Sequence, residues 1–162
     1  MLMPLFEWME SLAVYGSSPY IGPVVNLIHL SSMVMFMGAL LVVDLRLLGI
    51  GRTTPVSQVA RDARPWLIAG LVGIVVTGIP QLAERATDQY ATSTFWVKMY
   101  LLAFGLIWLF TARRRAERTD DARGAWPKVV ALVSTFSFLG VAALARLIMM
   151  IPANSFEWLV GV

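Results

Sequence analysis

Four long apolar stretches, separated by polar segments, dominate the pattern of the chain. They lie at about residues 21–43, 65–83, 95–111 and 129–151. A helix needs about 20 mostly apolar residues to cross the hydrocarbon core of a bilayer. The pattern therefore predicts an all-α protein, an integral membrane four-helix bundle in which residues 1–162 form a single membrane domain.

A shorter apolar pattern precedes the first span. Over residues 4–15, one helical stripe contains Leu5, Trp8, Met9 and Leu12, and Glu7 and Glu10 lie off that stripe. This spacing predicts an amphipathic helix that lies in the membrane interface. The first 20 residues contain no Lys or Arg and so lack the basic segment of a cleavable signal peptide. We therefore expect the first span to remain in the protein.

Basic residues are concentrated in two of the connections between the spans. Segments 44–64 and 112–128 together carry ten Lys and Arg residues, whereas the connection 84–97 carries only Arg85. Because Lys and Arg accumulate in cytoplasmic loops, we expect these two segments to face the cytoplasm and both termini to face outward. We therefore expect a multi-pass membrane protein with the lipid bilayer as its first partner.

Composition agrees with the membrane class and excludes several kinds of site. The chain is 58% hydrophobic, and its mean hydropathy is +0.72. It has no cysteine, which excludes disulfides, thiolate metal sites, iron–sulfur clusters and covalently attached haem. The net charge of +3 reflects basic residues in the loops, so we expect no nucleic-acid partner.

The most informative single residue is His29, the only histidine of the chain. It lies eight residues after Ile21, inside the first span, and an ionisable side chain in a membrane helix is a functional hypothesis by default. Under the predicted topology, three more polar residues fall in the same outer half of the bundle. They are Gln81 in the second span, Lys98 in the third and Arg146 in the fourth.

This combination predicts a haem b site. One imidazole can ligate the iron, and Lys98 and Arg146 can pair with the two propionates. Polar or polarisable neighbours surround the imidazole on its own helix, and small residues on the second span would let a flat ring approach. The predicted cofactor-binding residues are His29, Asn26, Met33, Gly73, Thr77, Lys98 and Arg146, with His29 as the ligand of the haem iron.

Each of these features also has a plainer interpretation. A histidine between helices can serve only as a hydrogen-bonding group, and glycines in a membrane helix more often serve packing than a cofactor. Lys98 and Arg146 can reach the interface as ordinary anchors. For the neighbouring Asp44 and Arg46, we favour an interfacial ion pair that ends the first helix over a proton-entry role.

Several motifs resemble a bacterial four-helix membrane family of unknown function. They are His29, Gly38 and the run DLRLLG at residues 44–49 in the first helix, Pro65-Trp66 opening the second, FWVK at residues 95–98 opening the third, and Ala145-Arg146 in the fourth. The resemblance covers essentially the whole chain, and DLRLLG is its most specific part. It implies the four-helix fold and no particular activity.

More distantly, a histidine in helix one and a lysine at the start of helix three are similar to the four-helix bacterial protoporphyrinogen oxidase and to the membrane domain of copper-resistance protein D. The first of these relatives carries haem b on that histidine, which implies His29 as axial ligand and Lys98 as a site residue. Arg146 matches only the nearer family. Because the chain has no second histidine, a six-coordinate iron would need a methionine, Lys98 or a partner subunit, and otherwise the iron is five-coordinate.

Three functions follow as expectations. The first is a haem b membrane protein that passes electrons between an outer-face redox partner and the quinone pool. The second is a cofactor-free structural or anchoring subunit of a larger membrane complex. The third, which we favour least, is a porphyrinogen oxidase-like enzyme. The expected protein partners are membrane or periplasmic redox subunits, or further copies of this chain.

Overall fold

The computed structural model describes residues 3–11, 19–51, 54–119 and 124–150. Its elements are α1 (Met3–Ser11), α2 (Ile21–Leu47), α3 (Val56–Ala83), α4 (Ala86–Ala91), α5 (Ser93–Trp108), a π-helical turn (Leu109–Arg113), α6 (Arg114–Thr119) and α7 (Ala125–Met150). No strand occurs within these ranges. The predicted all-α fold is confirmed.

Four helical segments are long and apolar enough to cross a membrane. They are Ile21–Leu47, Val56–Ala83, Ser93–Arg118 and Ala125–Leu147, the third being a continuous run of α5, the π-helical turn and α6. Only 17% to 28% of the apolar window in each segment is buried inside the bundle. Such apolar exposure is expected for helices that face lipid instead of water, so the predicted four-helix membrane bundle is confirmed.

The helices extend beyond the predicted spans. α3 begins at Val56, nine residues before the Pro65 that was expected to open it. In the segment 56–64, exposed polar residues accompany the buried side chains of Val56 and Ala63, so a helix with one narrow apolar face escapes a search for long apolar stretches. The helices α4 and α6 also lie in segments expected to be connections. The predicted end of the fourth span, Ile151, lies outside the described residues.

The DLRLLG run ends α2 through a glycine in the left-handed conformation. Gly49 has a φ of 92°. Its N–H donates to the carbonyl of Arg46 at 3.1 Å, and the N–H of Ile50 donates to the carbonyl of Leu45 at 3.0 Å. These two bonds form a Schellman motif, which satisfies carbonyls at a helix end. The glycine therefore sets the point at which the chain leaves α2 and turns toward α3.

The largest cluster of buried apolar side chains lies where α2 ends and α3 begins. We call this the Asp44 end of the bundle, and the opposite end, where α2 begins and α3 ends, the His29 end. The cluster contains Leu40, Val43 and Leu47 from α2, with Val56, Leu109, Ala116 and Val130 from the other segments. All four long segments therefore meet in one packed core near Asp44.

The most extensive helix contact joins α2 and α3. A Cβ atom on Gly70 would lie only 2.7 Å from the backbone nitrogen of Phe36. Gly73 faces the Ser32 hydroxyl, which donates to the carbonyl of Ile28 at 2.8 Å. Small residues permit such close backbone approach in membrane helices. The glycine stripe of α3 therefore serves helix packing at both positions.

Helix α1 packs against α4 and the start of α5. Phe6 is buried, and its ring centroid lies 5.0 Å from that of Tyr90 and 6.1 Å from that of Phe95. The Glu10 carboxylate accepts two hydrogen bonds from Thr87, one from the backbone N–H at 3.1 Å and one from the hydroxyl at 2.5 Å. These contacts fix α1 to the His29 end.

Helix α1 packs on the bundle mainly through Phe6, which lies outside the stripe predicted to face lipid. Leu5 and Trp8 are 48% and 59% exposed, whereas Phe6 is buried and Met9 is partly buried. Leu12, the fourth member of the stripe, lies outside the described residues. The physical reason is α4, an unpredicted helix whose side chains pack with Phe6 and turn that side of α1 toward the bundle. Leu5 and Trp8 stay on the outer surface, where an interfacial helix would meet lipid.

Candidate functional site

The imidazole of His29 is half-buried on α2, beside α3. Its Nδ1 lies 2.7 Å from Oγ1 of Thr77. The Cε1 side of the ring faces Gly78, at which a Cβ atom would be 3.5 Å away. Two residues predicted for one site, His29 and Thr77, are thus in direct contact across the helix pair.

The Thr77 hydroxyl lies between the imidazole and the Gly73 carbonyl. Its Oγ1 is 2.5 Å from the carbonyl oxygen of Gly73, which can only accept a hydrogen bond, so the hydroxyl donates there. The same Oγ1 accepts from His29 when the imidazole carries its proton on Nδ1. In that tautomer the lone pair is left on Nε2. A metal-ligating histidine is usually oriented in this way, by a hydrogen bond from its other nitrogen.

Two further polar side chains lie at the His29 end. The Nζ of Lys98, on α5, is 5.1 Å from the ring centroid of Phe95. Gln81 lies one turn beyond Thr77 on α3, and its buried amide nitrogen has no hydrogen-bond partner among the described residues. A buried amide N–H without a hydrogen-bond acceptor costs free energy of folding. A further polar group that accepts from Gln81 would remove this cost.

The other predicted site residues are distributed unevenly. Met33 is half-buried one turn after His29 on α2. Gly73 adjoins the site through its carbonyl, which accepts from Thr77. Asn26 and Arg146 are exposed side chains, so neither is enclosed in the α2–α3 contact. Sequence reasoning placed all of them in one leaflet because it could assign depth along each helix but not the direction in which a side chain points.

A haem b and a bare metal ion need different ligands from the protein. Among the described residues, no group of three or more His, Cys, Asp or Glu side chains could hold a metal ion. A porphyrin supplies most of the ligands itself and requires one imidazole, and Nε2 of His29 is the nitrogen that would have to supply it. Gly73 was predicted to let a flat porphyrin ring approach the second span. In the structure the Ser32 hydroxyl of α2 occupies the space beside Gly73.

A buried ion pair at the Asp44 end was missed by the sequence analysis. Nε of Arg113 donates to Oδ1 of Asp44 at 3.1 Å, and both side chains are 1% exposed. Nη2 of Arg113 donates to the Leu40 carbonyl, and the Thr135 hydroxyl donates to Oδ2 of Asp44, each at 2.9 Å. Oε1 of Glu117 lies 3.5 Å from Nε of the same arginine. The network connects α2, the π-helical turn, α6 and α7.

The predicted pair of Asp44 with Arg46 is therefore wrong. Nε of Arg46 instead donates to the carbonyl of Thr54 at 2.5 Å, across the turn between α2 and α3. The physical reason is helix geometry, since residues two apart in a helix do not face each other. Asp44 points into the bundle, toward Arg113.

One sequence signal could have located the Asp44 carboxylate. Asp44 has three nearly fully buried neighbours on α2. Leu40 lies four residues before it, Val43 one residue before it and Leu47 three residues after it. At this spacing the aspartate shares the core face of α2. Its partner on a distant segment leaves no comparable signal in the sequence.

Comparison with known proteins identifies a family. Residues 5–151 match the profile of a family of unknown function (DUF6644). No curated protein and no solved structure matches the chain. What the protein does must therefore be argued from its own residues.

Proposed function

Because the chain belongs to the family of unknown function DUF6644, we propose its role from its own residues: a haem b-binding membrane protein with His29 as axial ligand of the iron. In this role it transfers electrons between a redox partner at the His29 end and the quinone pool. The partner is a further membrane or periplasmic subunit, and the membrane is the cytoplasmic membrane of a bacterium.

The proposal rests on the contact between His29 and Thr77. Because the Thr77 hydroxyl is bonded to the Gly73 carbonyl at 2.5 Å, Nδ1–H of the imidazole would donate to Oγ1 and Nε2 would keep its lone pair. A histidine that only linked two helices could use either nitrogen, whereas a ligand of iron needs one nitrogen held and the other available.

The neighbouring residues support the same role. Lys98 supplies a cation that suits a propionate, and the Gln81 amide supplies a buried donor that no described residue uses. When bound, a haem b provides an iron centre that accepts and releases one electron. The chain then has to orient the imidazole, neutralise carboxylates and exclude water, which the apolar helices around His29 allow.

A second candidate is a cofactor-free anchoring subunit of a larger membrane complex. The observation that favours it is the close α2–α3 contact, in which Gly70 lies against the backbone of Phe36. The His29–Thr77 hydrogen bond then acts only to hold the two helices together. This candidate predicts a colourless protein that is purified together with stoichiometric partners.

An absorption spectrum separates the two candidates. Protein purified in detergent from haem-replete cells should show a b-type signal in the dithionite-reduced minus oxidised spectrum, and a pyridine haemochrome assay should give about one haem per chain. His29→Ala should abolish the signal and leave the helix content unchanged. Ser31→Ala, an exposed position on the same helix, is the matched control and should keep the haem.

The orienting role of Thr77 has its own test. Thr77→Val keeps the size of the side chain and removes the acceptor for Nδ1–H, so haem affinity should fall about 10- to 100-fold. Thr77→Ser restores the hydroxyl and should restore the affinity. A colourless wild-type protein, or unchanged haem in His29→Ala, would contradict the haem proposal and favour the anchoring subunit.

A further inference from the structure

A cleft opens at the Asp44 end between α3 and the run from the π-helical turn into α6. It has a volume of about 270 Å³. Its apolar floor includes Leu67, Leu109 and Phe110, and five arginines line it: Arg61, Arg64, Arg113, Arg114 and Arg118. The cleft is therefore amphipathic, with a basic rim over an apolar base.

Acidic side chains do not balance this rim. Among the residues that the structure describes, Glu117 is the one carboxylate that lines the cleft, and its Oε1 lies 3.5 Å from Nε of Arg113. Arg113 is also bound to Asp44. Set against the carboxylates of Asp44 and Glu117, the five arginines leave an excess of three positive charges at the cleft, and the side chains of Arg61 and Arg64 are exposed at its mouth.

The basic and apolar parts of the cleft are in direct contact. The guanidinium carbon of Arg114 lies 5.1 Å from the ring centroid of Phe110. An anion bound by Arg114 would therefore sit beside the aromatic floor. A ligand that satisfies both parts has to carry an anionic head and an apolar body.

We propose that this cleft binds an anionic phospholipid, with the phosphate on the arginines and an acyl chain along Leu67 and Phe110. Guanidinium groups bind phosphate oxygens in a bidentate manner, and basic pockets between membrane helices hold anionic headgroups. A free phosphate compound shares the headgroup chemistry but gains nothing from the apolar floor. The proposal concerns the end of the bundle opposite to His29 and does not depend on a haem.

Native mass spectrometry with competing lipids tests this proposal. The detergent-purified protein is mixed with equal amounts of phosphatidylglycerol and phosphatidylcholine that carry the same acyl chains, and phosphatidylglycerol should be retained preferentially. The double variant Arg61→Gln/Arg64→Gln should lose about 25-fold of that preference, about fivefold per arginine. Arg61→Gln alone should lose about fivefold, which keeps the test valid if the double variant fails to fold.

The matched control is Arg115→Gln, an exposed arginine at the same end that does not line the cleft. It should keep the full preference for phosphatidylglycerol. An equal loss in Arg115→Gln would show that general surface charge attracts the lipid, and the absence of any preference in the wild type would also overturn the proposal. Displacement of the lipid by inorganic phosphate would identify a free phosphate compound as the ligand, whereas retention of the lipid supports the acyl-chain contact.

Discussion

At the residue scale, His29 and Asp44 are two polar side chains of α2 that are held in different ways. His29 is hydrogen-bonded to Thr77 and is half-buried. Asp44 is 1% exposed and is bound by the Arg113 guanidinium and by the Thr135 hydroxyl. A buried charge is tolerated only when it is paired, so Asp44 belongs to the stability of the bundle.

Asp44→Ala should destabilise the bundle strongly. The substitution leaves the Arg113 guanidinium buried without its carboxylate, and loss of one partner of a buried pair costs about 3–5 kcal/mol. Denaturant unfolding in detergent micelles, followed by the helical signal in circular dichroism, measures the change in the free energy of unfolding.

Two variants make that result specific. Asp62→Ala removes an exposed aspartate of α3 and should change the stability by less than about 0.5 kcal/mol. Asp44→Leu combined with Arg113→Met replaces the pair by apolar side chains and should recover most of the loss. If the double variant stays as unstable as Asp44→Ala, the ion pair is not the source of the effect.

At the element scale, two contacts decide how the helices are arranged. The approach of α2 to α3 depends on Gly70 and Gly73, whose faces are filled by Phe36 and Ser32. The docking of α1 on α4 depends on Phe6 and on the Glu10 carboxylate. Neither contact is visible in the apolar pattern of one helix taken alone, because each requires a partner surface.

Gly70→Ala should push α2 and α3 apart. The new Cβ atom would lie 2.7 Å from a backbone nitrogen of Phe36, which cannot rotate away, and overpacking of this kind costs about 1–3 kcal/mol. Gly38→Ala is the control, since nothing lies within 4 Å of a Cβ atom there. It should be neutral or stabilising by up to about 1 kcal/mol. Equal unfolding free energies for the two variants would refute the close contact.

The docking of α1 should depend on pH. The hydroxyl and then the backbone N–H of Thr87 lower the pKa of Glu10 from its ordinary value of 4.5. A carboxyl whose folded pKa is lowered stabilises the docked helix above its unfolded pKa, and that contribution is lost as pH falls through the folded value. The chain has no cysteine, so a spin label at Met3→Cys can report the mobility of α1, which should rise under acidic conditions.

The same spin-label experiment can identify the side chain whose protonation makes α1 mobile. Glu10→Gln should make the label mobile already at neutral pH and flatten the pH dependence. Glu7→Gln, at an exposed position of α1, should leave the wild-type profile intact. A profile that is unchanged in Glu10→Gln would contradict the assigned contact.

At the scale of the whole molecule, the two ends of the bundle differ in chemistry. The Asp44 end combines the packed core, the buried ion pair and the arginine-lined cleft. The His29 end is capped by α1 and α4 and contains the imidazole and the buried amide of Gln81. A site for a cofactor and a site for a lipid would thus lie on opposite sides of one small bundle.

The orientation of this bundle in the membrane is directly testable. The arginine-rich connections predict that the Asp44 end faces the cytoplasm. In a chain without cysteine, a membrane-impermeant maleimide should label Asp88→Cys on α4 in intact cells. It should label Ile50→Cys, in the turn after α2, only after the cells are permeabilised. The reverse pattern would overturn the predicted topology.

The sequence by itself determined the class of the protein and its four spans. In a bilayer every backbone polar group has to be satisfied within the span, so a long apolar stretch can only be a helix, and hydropathy is sufficient to find it. The same reasoning singled out His29, the one ionisable residue within the first predicted span. The glycine of DLRLLG ends α2, whereas the sequence analysis assigned that end to a pair of Asp44 with Arg46.

Only the tertiary structure decided which side chains meet. Thr77 lies 48 residues from His29, and Arg113 lies 69 residues from Asp44. The short helix α4 and the amphipathic start of α3 fall below what an apolar pattern detects, and α4 is the element against which Phe6 of α1 packs. Hydropathy shows whether a segment favours lipid or water. Which side chains become partners depends instead on the rotation and packing of helices that are far apart in the chain.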